Sequence, residues 1–320
     1  MTAVWTHAVV LFICGSCIGS FLNVVVYRMP HGLSLLRPPS FCPRCSTPIR
    51  AYDNLPILGW LLLGGKARCC GAPISGRYPL VEGLTGILWA IAGALHAAPV
   101  HGVYADAAEL TLWLTVISML VAAAFIDIDH QYLPDEITLG GCALGLLASA
   151  AMPWLHADAA AAFPAVSPHW VALLYSFIGM LAGLGATYAF TLLGNFCFRE
   201  KIAEIQKEKP DVDSVLGLGD VKLMGFFGAL FGWQAVPVIF LLGAFYGGIG
   251  GSLEKLRNGE ALTTDGRRPS VWERLRHRWQ TGDSIFPFGP YLCAAALTWL
   301  FARPALTGAA EWWWQTVTVR

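Results

Sequence analysis

Charge is what this chain has least of. Asp, Glu, Lys and Arg make up 13% of its 320 residues, while 56% are hydrophobic. Soluble domains carry about 25% charged residues. The deficit excludes an ordinary soluble domain and points to an all-α, polytopic membrane protein. Net charge is zero, so no overall field gathers nucleic acid or acidic partners, and none is expected. No basic stretch precedes the first apolar run, and residues 1–27 are long enough to span a bilayer. A retained first helix is therefore expected rather than a cleaved signal. Two hydrolase signatures are missing, Gly-x-Ser-x-Gly and His-Glu-x-x-His. There is no long-period repeat, and no low-complexity tract beyond Ala157–Ala162.

Apolar runs of spanning length fall near residues 6–27, 80–99, 108–126, 133–152, 169–194, 221–232, 235–252 and 286–302. They predict about eight transmembrane helices. The sixth is short of the roughly 20 residues a span needs, so it is expected to begin in the glycine-rich stretch before Asp220, as a broken or partly re-entrant segment. Thirteen Trp and 34 Gly suit interfacial anchoring and close helix packing. Basic residues crowd into 28–79, 199–213 and 253–284, whereas 100–107, 153–168 and 233–234 have none. Positive residues mark the cytoplasmic side. Eight spans then put those three segments in the cytoplasm and both termini outside. The expected organisation is a first helix at 1–27, a cysteine-rich loop domain at 28–79, and a membrane domain at 80–320 with a cytoplasmic hairpin at 253–284.

Two acids are out of place in this setting. Asp127 closes the apolar run Leu120-Val121-Ala122-Ala123-Ala124-Phe125-Ile126, and Asp220 sits in Leu216-Gly217-Leu218-Gly219-Asp220-Val221-Lys222. A charged Asp at bilayer depth costs about 2.5–3.5 kcal/mol on insertion scales. The topology places both at the cytoplasmic ends of their spans. Two carboxylates sharing a site hold one proton between them. The ionised one takes a proton from water while the neutral one polarises a carbonyl, a route that needs no covalent intermediate. For Asp220 the alternative is a buried ion pair with Lys222 or an Arg. Asp135 and Glu136 suit the start of the next helix after Pro134. Asp129 and His130 read as interfacial or supporting groups.

Nine Cys are present, and their pattern favours metal over an exported disulfide framework. Cys42-Pro43-Arg44-Cys45 is a Cys-x-x-Cys knuckle, and Cys69-Cys70-Gly71 follows in the same loop. Two knuckles at that separation read as a structural zinc site that folds a loop with few large apolar residues. The second is imperfect: Ala67 stands where its first Cys belongs. Cys69 is the candidate for the fourth ligand beside Cys42, Cys45 and Cys70, although adjacent ligands strain the geometry. A metal-free loop and a disulfide remain open. Cys14 and Cys17 share the spacing but lie in an apolar helix, where they read as small buried residues.

Taken in order, the chain resembles the type 4 prepilin peptidases. The resemblance runs through Gly19-Ser20-Phe21-Leu22-Asn23 to Tyr27-Arg28-Met29-Pro30, the Cys42–Cys45 knuckle, Tyr52-Asp53-Asn54-Leu55-Pro56 and Cys70-Gly71-Ala72-Pro73. It continues through Arg77-Tyr78-Pro79-Leu80-Val81-Glu82, Ile126-Asp127-Ile128-Asp129-His130, Gly219-Asp220-Val221-Lys222 and Pro287-Phe288-Gly289-Pro290-Tyr291. It implies a GxGD-type aspartic endopeptidase in the bacterial inner membrane, with Asp127 and Asp220 as the catalytic pair. The implied substrates are prepilins or pseudopilins, whose short basic leader is cut at the cytoplasmic face. The long first loop implies N-methylation of the new terminus with S-adenosylmethionine, for which no residues are named. It also implies four zinc cysteines at 42, 45, 67 and 70, the third of which is Ala67 here. Asp53, Glu82, Asp129, Asp135 and Glu136 are candidates to meet a basic leader. Asn23 either lines the site or packs helices, and Glu82 either pairs with a neighbour such as Arg77 or serves the leader or methyl-donor site.

Two other readings stay open on sequence alone. Intramembrane Asp can serve an ion transporter, and the cysteine loop can serve a zinc-dependent membrane scaffold without catalysis. Membrane lipids are partners under every reading.

Overall fold

The computed structural model describes residues 2–97, 107–208, 214–257 and 287–318. The expected hairpin at 253–284 falls almost wholly outside them. The chain divides into two units, Met1–Met152 and Pro153–Arg320. All regular structure among the described residues is helical, apart from two isolated β-bridges.

The first unit opens with helix α1 (Thr2–Arg28), followed by the cysteine loop, which contains a short helix α2 (Leu58–Leu62). Then come α3 (Arg77–Ala97), α4 (Ala107–His130) and α5 (Asp135–Ala151). Small residues set how α1 meets α3, but Cys14 and Cys17 are not among them: both are exposed rather than buried. A Cβ added at Gly19 would lie 2.7 Å from Glu82 Cα, and one at Gly15 would lie 2.8 Å from Trp89 Cβ. Lipid tails provide no hydrophobic drive between helices, so association relies on this close backbone approach. Asn23 adds a polar tie, its side-chain amide donating to the Tyr78 carbonyl at 3.2 Å. That is the helix-packing role. Beyond α1, buried Arg28 gathers the chain, donating to the carbonyls of Ser34 (3.0 Å) and Pro38 (2.7 Å). The inner face of α4 is Val116, Ile117, Leu120, Ala123 and Ile126, all fully buried. Pro134 caps α5, with Asp135 and Glu136 in its first turn, where negative charge suits the helix dipole.

The second unit holds α6 (Ala157–Ala162), α7 (Pro168–Cys197), a charged α8 (Arg199–Glu208), α9 (Leu218–Phe231), α10 (Ala235–Arg257) and α11 (Gly289–Thr318). Helix α9 is the core of this unit; from Leu223 to Phe231 every residue is buried. It packs backbone to backbone on α7. A Cβ on Gly183 would run into the Met224 carbonyl, and Gly179 and Gly228 face each other in the same way. Ser176 Oγ donates to the Ala229 carbonyl at 2.6 Å across that seam. Gly232, at φ 84°, ends α9 in a conformation that favours glycine.

Four of the eight apolar runs, 6–27, 108–126, 169–194 and 235–252, lie wholly within a helix, and each of the other four overlaps one. Among the described residues, five helices are long and apolar enough to cross a membrane: α1, α3, α4, α7 and α10. The number rises to six if α5 and the segment after it form one broken span. With 17 residues in α5 and 14 in α9, these two fall short of the roughly 20 that a straight span requires. Helix α9 begins at Leu218, inside the glycine-rich stretch, as expected from sequence.

Candidate active site and cysteine cluster

In the first unit Asp127 lies in the last turn of α4 and is only 6% exposed. Its backbone carbonyl accepts from Gln131 N at 2.9 Å, where the helix stops with Gln131 in the left-handed region at φ 49°. The turn that carries Asp127 is braced from α3. Arg77 donates to both carboxylate oxygens of Asp129 at 2.6 Å and to the Phe125 carbonyl at 3.3 Å, and its guanidinium lies 5.2 Å from the centre of the Phe125 ring. A cation at a helix C-terminus is favoured by the dipole as well. His130, one turn end away, meets His31 edge to face at 5.3 Å.

In the second unit Asp220 lies in the first turn of α9, 8% exposed. Gly217 is the N-cap residue, in extended backbone, and its carbonyl accepts from Asp220 N at 3.1 Å. The segment leading in is fixed by Asn195, whose side-chain oxygen accepts from Val215 N at 2.8 Å. Each Asp thus sits at the end of an apolar helix, on a turn held by named partners. Sequence reasoning singled out both. It missed the Arg77 brace, having left Glu82 open between an ion pair and a place in the leader or methyl-donor site.

Glu82 has another task. Its carboxylate accepts from Ile57 N at 2.7 Å, and Ile57 sits at φ 62°, rarely adopted by a β-branched residue. No sequence signal announces that backbone. Asp53 is also engaged, forking onto Arg68 through contacts of 2.8–3.0 Å. The Arg68 hydrogen bonds hold its carboxyl below the usual carboxylate range.

The cysteine loop is built from two matching turns. Cys42 N bonds to Thr47 O and Ser46 N to Cys42 O; Ala67 N bonds to Ala72 O and Gly71 N to Ala67 O. Bridges Phe41 to Pro48 and Lys66 to Pro73 close them alike. Ser46 and Gly71 both take positive φ, 57° and 68°. In this register Cys42 matches Ala67, Cys45 matches Cys70, and Cys69 falls opposite Arg44. The second knuckle therefore keeps its fold without its first cysteine, and Cys69 approaches from a neighbouring position. Sulfur separations are 3.7 Å for Cys42–Cys70, 3.3 Å for Cys45–Cys69 and 3.9 Å for Cys69–Cys70, with all four Sγ atoms within 4.8 Å of one another. A tetrahedral zinc with Zn–S of about 2.3 Å places its sulfurs about 3.8 Å apart. The set fits such an ion, and all four cysteines are free thiols rather than disulfides. Hydrogen bonds from Thr47 lower the Cys45 thiol to about 6, whereas the bond to Cys45 pushes Cys69 up to about 12. Backbone hydrogen bonds lower the Cys42 thiol as well, and a divalent cation would draw all four into thiolates.

Two family descriptions match the chain. Residues 13–96 match the Bacterial Peptidase A24 N-terminal domain, and residues 114–252 match the Type IV leader peptidase family. The first stretch contains the cysteine cluster and the second contains both buried aspartates. A prepilin leader peptidase/N-methyltransferase of Klebsiella pneumoniae is 38% identical over 242 residues, which is 72% of this chain and 88% of that protein. One from Myxococcus xanthus is 32% identical over 343 residues, covering 94% and 91%. An Escherichia coli type 4 prepilin-like proteins leader peptide-processing enzyme is 34% identical over 251 residues, covering 73% and 80%. No solved structure matches the chain.

Proposed function

The chain belongs to the type IV leader peptidase family, and on that premise we propose that it is a membrane-embedded aspartic endopeptidase acting on prepilins or pseudopilins. Asp127 and Asp220 are its catalytic pair in this reading. One, ionised, takes a proton from the attacking water; the other, protonated, donates a hydrogen bond to the scissile carbonyl. The tetrahedral intermediate collapses as a proton reaches the leaving amine, giving a carboxylate and a new N-terminal amine. The observation that carries this reading is the burial of two carboxylates at the ends of apolar helices, within the residues matching the peptidase family. Burial there is costly enough that it demands a use.

The relatives' names pair cleavage with N-methylation, and we extend both steps to this chain, with S-adenosylmethionine as methyl donor. The donor supplies an electrophilic methyl group to the amine that cleavage exposes. The described residues contain no strand, hence no strand–glycine turn–helix nucleotide site, and no side chain is assigned to the donor. Cys42, Cys45, Cys69 and Cys70 would hold a structural zinc, which cross-links the two knuckles of the loop. Cleavage takes place at the cytoplasmic face of the bacterial inner membrane, with the basic loop 28–79 on that side and both termini outside. Incubating the purified protein with a prepilin and S-adenosylmethionine tests the whole reading in one mass spectrum. Loss of the leader with addition of a methyl group is expected; an intact prepilin would overturn it.

A further inference from the structure

Helix α2 and the loop residue Leu55 ahead of it present four leucines outward. Leu58, Leu61 and Leu62 follow the spacing of one helix face, with Leu55 a turn earlier. All four are exposed, Leu62 at 79%. The opposite face is already committed. Gly59 is buried against the Asp53 carbonyl, and Trp60 donates its indole N–H to the Ile74 carbonyl at 3.0 Å. The leucines are therefore the side left for something else.

The depth of the segment is set by the bond from Ile57 N to Glu82, with the Ile57 side chain beside Gly83. Glu82 lies five residues into α3 from Arg77, about 7.5 Å along the axis at 1.5 Å per residue. Helix α3 is one of the helices long and apolar enough to cross a bilayer. Ile57 thus fastens α2 alongside a spanning helix, below its entry point. Helices that lie in a membrane interface bury their apolar face about 5–10 Å into the boundary between headgroups and acyl chains. Charge agrees with that level. Asp53 is the one acid between residues 28 and 79, and Arg68 holds it. Arg37, Arg44, Arg50 and Lys66 are exposed in the same loop. A basic loop with outward leucines complements an anionic lipid surface.

We propose that Leu55–Leu62 is an interfacial anchor, inserting its leucines into the leaflet that α3 enters while the flanking basic residues engage anionic headgroups. It seats the cysteine loop on the bilayer. This assignment is independent of the catalytic reading. It can be tested on the full chain in vesicles of phosphatidylcholine and phosphatidylglycerol carrying a lipid with a diazirine in its acyl chain. After photolysis and digestion, label is expected on the 55–62 peptide as well as on α1 and α3. Leu62→Ser should remove the label at its own position and leave labelling of α1 and α3 unchanged, which separates lost insertion from lost fold. Omitting phosphatidylglycerol should lower label on 55–62 severalfold with little change in the spanning helices. A 55–62 peptide without label, or label indifferent to the anionic lipid, would each overturn the proposal.

Discussion

At the scale of single residues, Cys69 is the position where sequence and structure differ most usefully. The knuckle spacing pointed to residue 67, which is Ala; the fold keeps the knuckle and brings Cys69 within 3.3 Å of Cys45. Cys69→Ser should take the zinc content from about one ion per chain towards zero, and adding Ala67→Cys should restore it, because residue 67 occupies the place of Cys42 in the first knuckle. Metal analysis of the purified variants checks this; a Cys69→Ser protein with full zinc would show that three cysteines and another group suffice. Arg77 makes a separate case. Its pair with Asp129 is about one-third exposed, and such pairs contribute only about 0–1 kcal/mol. Arg77→Ala should leave the unfolding midpoint nearly unchanged yet slow cleavage about tenfold or more, since it positions the turn bearing Asp127. Equal losses of stability and rate would mean that Arg77 is merely structural. Asp53 provides a pH prediction. Its folded carboxyl lies below the usual range because of Arg68, so the clamp's contribution is complete above the unfolded value of about 3.9 and is lost as pH falls through the lower folded value. The unfolding midpoint of the wild-type protein should therefore fall towards that of Arg68→Ala as pH drops through that window, with no such convergence above it. The acids and thiols were legible because their residue types are rare in apolar sequence. Their partners were not, because Ile57's positive φ and the Arg77–Asp129 contact arise from tertiary packing that no local pattern encodes.

At the scale of elements, glycine does two kinds of work. In the stretch before Asp220, Gly217 is the N-cap residue of α9, while Gly228, together with Gly179 and Gly183 of α7, lets two backbones touch. Helix positions were readable from apolar runs alone; the seam between α7 and α9 was not, since small residues at a lipid-facing interface and at a helix–helix interface look alike in sequence. Gly183→Leu should cost about 1–3 kcal/mol or more through overpacking, because its Cβ meets the Met224 backbone rather than a side chain that can swing away. Thermal unfolding in detergent reads this as a lowered midpoint. Gly185→Leu on the same helix, where a Cβ meets nothing within 4 Å, should be tolerated. Comparable losses from both would argue against a specific seam.

For the molecule as a whole, composition was enough to announce a helical membrane protein, and the order of motifs was enough to announce its family. The division after Met152 was not legible, because the break between α5 and α6 carries no change in composition. It leaves Asp127 in one unit and Asp220 in the other, so catalysis by the pair requires both halves of the chain. The most direct test is cleavage of a prepilin by Asp127→Asn and by Asp220→Asn, each isosteric and each measured beside wild type with its unfolding midpoint. Both variants are predicted to lose about 10²-fold or more in rate with the midpoint retained. A variant that cleaves at the wild-type rate would remove that carboxylate from the chemistry and contradict the account.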